Sequence, residues 1–235
     1  MSEDTVTRHT RGSNASPAIR QAGLSLVELM ISIALGLFVV VAATALLVST
    51  KAGYVTQDDN ARIQETGRHA IEMITRAVRQ AAYENWDSEE APIVTTAAMS
   101  ANIAGLDASR PTYKSIGMAS LSTDGVVNGS DILAVGFFGA GQDKKGDGTM
   151  LNCGGFSVPA ATSQSDAEAA RAWNIFYVGV AESGVPQLYC KYGRDKTWPP
   201  ETIASEVESF QVLYGLDTTN DGIPDNFVNA TEVNK

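Results

Sequence analysis

Three small groups of residues have the types and spacing to do chemistry. The stretch "LDTTNDGIPDNF" at 216–227 sets Asp217, Asp221 and Asp225 at positions 1, 5 and 9 of a loop, with Gly222 at position 6. Carboxylates gathered around a sharp glycine turn suit a hard cation, so these three are candidate Ca2+ ligands. Thr219 stands where such loops carry Asp or Asn, and Val228 where they end in a bidentate glutamate; the competing reading is an acidic turn in water. "DKKGDG" at 143–148 has similar spacing, but Lys145 takes a ligand position and the stretch reads as a turn. The second group is Cys153 and Cys190, the only cysteines, with no CxxC or histidine cluster beside them. The third is Glu28, a lone carboxylate inside the apolar run of "RQAGLSLVELMISIALG", with Gly23 upstream.

Several function classes drop out at this point. The chain has 27 acidic and 17 basic residues, for a net charge of −10, whereas a nucleic-acid binder shows a basic face. No GxSxG, HExxH, P-loop or GxGxxG occurs. The two histidines are His9, in a basic leader, and His69, in a helical stretch; neither has the neighbours of a metal site or of a general base. An enzyme is not expected.

The elements that would position these groups begin with Leu24–Val48, 25 residues with one charge. As a helix this run spans roughly 37 Å, enough for a hydrocarbon core of about 30 Å. It is too long for the apolar region of a cleaved secretory signal. Arg8, Arg11 and Arg20 precede it, which leaves the N-terminus in the cytoplasm and exports the chain beyond the apolar run. Cys153 and Cys190 then lie in an oxidising compartment, where a disulfide is the expected state. Glu28 remains the anomaly, because an intramembrane carboxylate costs about 2.5–3.5 kcal/mol near the bilayer centre and less near the ends, and one usually has a partner.

Residues 51–85 contain no proline and keep a helical period, with Ile63, Gly67, Ala70, Ile71, Ile74, Val78 and Ala81 assigned to one face. Charges of both signs hold the other side, including an i,i+4 pair of Glu72 and Arg76. Continuous from Leu24 to about Asn85, the helix would be roughly 90 Å long. After Trp86 the texture changes to Gly, Ser, Thr and Asp with short apolar runs. "DILAVGFFG" (131–139), "WNIFYVGV" (173–180), "PQLYCKYG" (186–193) and "VESFQVLYGLD" (207–217) read as strands, with "VAESGVPQ" as a hairpin connection. Residues 87–130 read as an irregular region with short elements. The fold class is α+β: a long N-terminal helix, apolar in its first half and amphipathic in its second, packed on a C-terminal antiparallel sheet domain. The boundaries are 1–23 leader, 24–48 apolar helix, 49–86 amphipathic continuation and 87–235 exported domain.

"GLSLVELMISIALG", behind its basic leader, resembles the class III signal of type IV pilins and pseudopilins. The resemblance implies cleavage by a membrane peptidase between Gly23 and Leu24, methylation of Leu24 as the new N-terminus, and retention of the helix. Leu24 departs from the Phe or Met more common there, and no proline interrupts the segment before Val48. The family picture pairs Glu28 with the N-terminal ammonium of a neighbouring subunit, each charge offsetting the other's burial cost in a low-dielectric setting. Together with the C-terminal "VESFQVLYGLDTTNDGIPDNF", the chain resembles the PilW family of minor type IV pilins. That implies a low-abundance subunit that primes pilus assembly near the tip. Its implied partners are other minor pilins, the major pilin, prepilin peptidase, the assembly platform and a tip adhesin. The implied location is the inner membrane, with the domain periplasmic, and then the pilus on the surface of a Gram-negative bacterium. The rival readings are a minor pseudopilin of type II secretion, the GspJ-like kind, and a signal-anchored calcium-dependent binding module.

Overall fold

In the computed structural model the described residues are 23, 25–81, 83, 84, 96, 99, 101–112, 121–141, 146–193 and 197–233. The chain divides into two compact units, Met1–Asp58 and Asp59–Lys235. One helix, α1 (Leu26–Gln80), supplies the described part of the first unit and the start of the second. In the first unit its large apolar side chains point outward: Leu26 and Phe38 are each 74% exposed. An apolar helix with nothing to bury against suits a lipid solvent, and this one is long and apolar enough to cross a membrane.

The second unit is an α+β domain. Its central sheet has the order β1 (Ile103–Leu106), β4 (Ile132–Phe137), β5 (Ala172–Val180), β6 (Pro186–Tyr192) and β7 (Pro200–Ser205). Every neighbouring pair is antiparallel. Strands β2 (Arg110–Pro111) and β3 (Leu121–Ser122) form a small ribbon, and β8 (Tyr214–Leu216) and β9 (Asn226–Val228) another. Two single-turn helices complete it, α2 (Ala167–Ala170) before β5 and α3 (Ala230–Val233) after β9.

Strand β4 is buried along its whole length, which is why its sequence is an unbroken apolar run rather than an alternation. Leu133, Val135, Phe176, Val178, Leu188 and Cys190 face the helix; Ile132, Ala134, Ile175 and Tyr177 face a second layer with Trp173 and Trp198. The helix presents Ala70, Met73, Ile74 and Ala77 to the sheet, and the turn that follows it adds Ala81. Small residues at three of these five positions let the backbone come close.

Three expectations are corrected by this packing. Ile63 and Ile71 are each 67% exposed and Val78 36%, so the contact stripe is rotated away from them and toward Met73 and Ala77. Residues 207–213 are not a strand, and only Tyr214–Leu216 of that stretch is. Their amides are taken by side chains instead: Phe210 N–H donates to Ser130 Oγ at 3.2 Å and Val212 N–H to Asp131 Oδ2 at 2.9 Å. Among the described residues the helix shows an ion pair of Arg68 with Glu65 at 2.7 Å and none of Glu72 with Arg76.

Candidate functional site

Gly23 is exposed and outside the helix, which begins at Leu26; Leu24 lies outside the described residues, as do the leader arginines. Glu28 falls in the first turn of α1, exposed. That turn closes with Leu29 N–H donating to the Ser25 carbonyl at 3.1 Å, and Ser32 Oγ donates to the Glu28 carbonyl at 2.7 Å. A carboxylate in a first helical turn is favoured by the unpaired amides and the positive end of the macrodipole.

In the α+β domain Cys153 and Cys190 are bonded, with Cα atoms 6.3 Å apart and a loop separation of 37 residues. Cys190 is fully buried on β6 beneath the helix, so the bond ties the 146–159 loop to the core layer that holds Ala77 and Ala81. Side-chain amides shape the loop around it: Cys153 N–H donates to Asn174 Oδ1 at 2.9 Å, and Asn152 Oδ1 accepts from the amides of Gly154 and Phe156. Above the disulfide lies a cleft of about 580 Å³ lined by Met73, Arg76, Phe156, Tyr192 and Glu201. Its mixed lining holds no histidine or free thiol.

The three aspartates of the candidate calcium loop are not gathered into a metal-holding group, and among the described residues no cluster of three or more His, Cys, Asp or Glu is so arranged. Their oxygens cap loop amides. Asp217 Oδ2 accepts from Gly222 N–H at 2.8 Å and Oδ1 from Asp221 N–H at 3.3 Å. Asp225 Oδ2 accepts from the Thr218 hydroxyl at 2.6 Å and the Thr218 amide at 2.8 Å, and Asp221 Oδ1 from Ile223 N–H at 2.9 Å. Gly222 takes φ +85°, which a side chain rarely adopts. The Gly222 amide bond holds the Asp217 carboxyl below its usual range, and the Thr218 hydroxyl does the same for Asp225.

Two clamps escaped the sequence reading. Asp131, buried, accepts from Ala108 N–H at 3.0 Å as well as from Val212, tying the segment before β8 to the loop after β1. Asp107 accepts from the amides of Ala230 and Thr231, both at 2.9 Å, and so anchors the start of α3. The available signal was "SDILAV", a carboxylate set directly before a wholly buried strand.

These features sort the chain by class before family. Residues 19–44 match the prokaryotic N-terminal methylation motif, which covers Gly23, Leu24 and Glu28. With the apolar helix, that motif points to a membrane-anchored, pilin-like chain. Residues 175–235, from mid-β5 to the C-terminus, match the family described as Type IV Pilus-assembly protein W. The two matches, at opposite ends of the chain, support a type IV pilus-related, pilin-like protein. No curated protein and no solved structure gives a significant match.

Proposed function

We propose that the chain is a minor pilin of the type IV pilus, a structural subunit rather than an enzyme. Prepilin peptidase cuts between Gly23 and Leu24, freeing an ammonium at Leu24 that is then methylated. Glu28 meets the corresponding ammonium of a neighbouring subunit and sets docking register. The subunit primes assembly near the tip, together with other minor pilins, the major pilin and the assembly platform, beneath a tip adhesin. It leaves the inner membrane of a Gram-negative cell with its domain on the periplasmic side. The observation that carries this reading is the pairing, in one chain, of a methylation motif at 19–44 with a pilus-assembly match at 175–235.

N-terminal mass analysis of membrane-derived protein tests the processing step, with methylated Leu24 as the expected terminus. An uncleaved terminus that is indifferent to prepilin peptidase would overturn it and favour a plain signal-anchored binding module. Deleting the gene should remove pili and twitching while leaving protein secretion intact. Lost secretion with normal pili would instead assign the chain to a type II secretion pseudopilus.

A further inference from the structure

The C-terminal ribbon has one bare face. In β8, Tyr214 and Leu216 are half-buried and Gly215 between them is exposed; in β9, Val228 is half-buried and Phe227 exposed. The register sets Phe227 opposite Gly215 and Val228 opposite Tyr214. Alternation thus gives the ribbon a covered face with Tyr214, Leu216 and Val228 and an open face with Gly215 and Phe227, which Leu213 joins by parity. Leu213 is 64% exposed, Phe227 68% and Ile223, at the connecting turn, 66%. A Cβ on Gly215 would come within 2.8 Å of Pro224 and 3.5 Å of the Phe227 ring, so those two side chains close over the glycine and give the face an apolar floor.

Large apolar side chains concentrated on one short ribbon mark a contact surface, whereas isolated ones do not. The ribbon is also presented rigidly, since strands of three residues would not hold a shape in water by themselves. The Asp131–Val212 and Asp107–Ala230 bonds fix its two ends. The chain segment that carries it is acidic: residues 206–235 contain Glu206, Glu208, Asp217, Asp221, Asp225 and Glu232 against the single Lys235.

We propose that the open face of the β8–β9 ribbon docks a second exported subunit whose surface offers an apolar recess ringed by Lys and Arg. The inference rests on the pilus-subunit reading only in taking this partner to be a neighbouring subunit. Charge selects the occupant. Another copy of this chain would bring acidic rim against acidic rim on a body of net charge −10, and an anionic lipid surface would be repelled in the same way.

The test uses the full chain, produced in cells with a photo-crosslinking residue at position 227, 213 or 180. Val180, 49% exposed at the end of β5, is the control. Positions 227 and 213 should yield an adduct with a different pilin-like subunit, and position 180 should not. That subunit is then purified and titrated against the full chain in nanodiscs. Phe227→Ser should weaken binding at least about tenfold, as loss of a central aromatic anchor does. Raising salt from about 0.1 to about 0.5 M should weaken it several-fold. Leu213→Ser, with unfolding temperature recorded for both variants, separates a lost contact from a lost fold. Adducts between two copies, adducts with lipid, no adduct at 227 and 213, or unchanged affinity in both variants would overturn the proposal. Normal pili in a deletion strain alongside a 227 adduct would sink the pilus reading and leave the surface standing. Absent pili without an adduct would do the reverse.

Discussion

At the scale of single residues, a close approach in the α+β domain makes a measurable conflict. Gly105, on β1, faces the Tyr214 hydroxyl so closely that a Cβ there would collide with it. That hydroxyl is buried and lacks a hydrogen-bond partner among the described residues. Gly105→Ala should therefore cost about 1–3 kcal/mol in thermal unfolding, with part recovered in Gly105→Ala/Tyr214→Phe. Tyr214→Phe alone should be neutral or stabilise by up to about 1 kcal/mol, because it removes a desolvated group that gains nothing. Burial, then the charges of Asp131 and Asp107, push the Tyr214 phenol up to about 12 from 10.0. The folded state thus holds that proton more tightly than the unfolded chain. Its contribution is complete below pH 10 and falls as pH rises from 10 toward 12. Wild type should lose stability across that window faster than Tyr214→Phe, and parallel curves would refute the assignment. At the other end of the chain, Glu28→Ala should leave insertion and cleavage intact and abolish incorporation into pili, read by fractionating sheared filaments; normal incorporation would remove its docking role.

At the scale of elements, the sequence made the existence of α1, β4, β5 and β6 legible, along with the cysteine bridge, because each rests on a strong local pattern. The phase of the helix was less legible. Its uncharged sector is wider than the sheet can cover, so the spacing picks Ile63, Ile71 and Val78 along with Ala70 and Ile74 and passes over Met73 and Ala77, and only packing decides. Ile71→Ala should therefore change stability by no more than about 0.5 kcal/mol. Ala77→Leu, at a site 3% exposed, should cost about 1–3 kcal/mol through overpacking; equal effects on unfolding would return the helix to the expected phase. Strand β7 was illegible for a different reason. "PETIAS" is an edge strand that opens with proline and carries polar side chains outward, which protects the edge and hides the apolar signal. The bridge between Cys153 and Cys190 closes a 37-residue separation and should stabilise by about 3–4 kcal/mol in the chain-entropy account. Unreduced protein should show no free thiol, and Cys190→Ser should lower the unfolding midpoint accordingly.

At the scale of the whole molecule, the acidic balance has two opposed consequences. Lowering the pH from 7 removes self-repulsion from a chain of net charge −10, and net charge passes zero near pH 4.6. The same protons later disarm the carboxylates that cap amides. Asp217, Asp225 and Asp147 are held below their usual range by hydrogen bonds, from Gly222, Thr218 and Thr149 respectively. A carboxyl depressed in the folded state stabilises fully above its unfolded value of 3.8, and that stabilisation is lost as pH falls through the folded value. The candidate calcium loop, as a turn held by its own caps, should consequently open before the sheet does. In an acid titration followed by amide resonances, Thr218 and Gly222 should move below about pH 4 while the amides of β4 and β5 stay in place. Simultaneous collapse would mean that the ribbon and sheet form one cooperative unit. Calcium added at neutral pH supplies the companion measurement. If the caps suffice, neither wild type nor Asp221→Ala shows heat or a shift in melting. A saturable heat with a melting shift in wild type, lost in the variant, would restore the aspartates as ligands and make the apolar face of the ribbon a calcium-dependent surface.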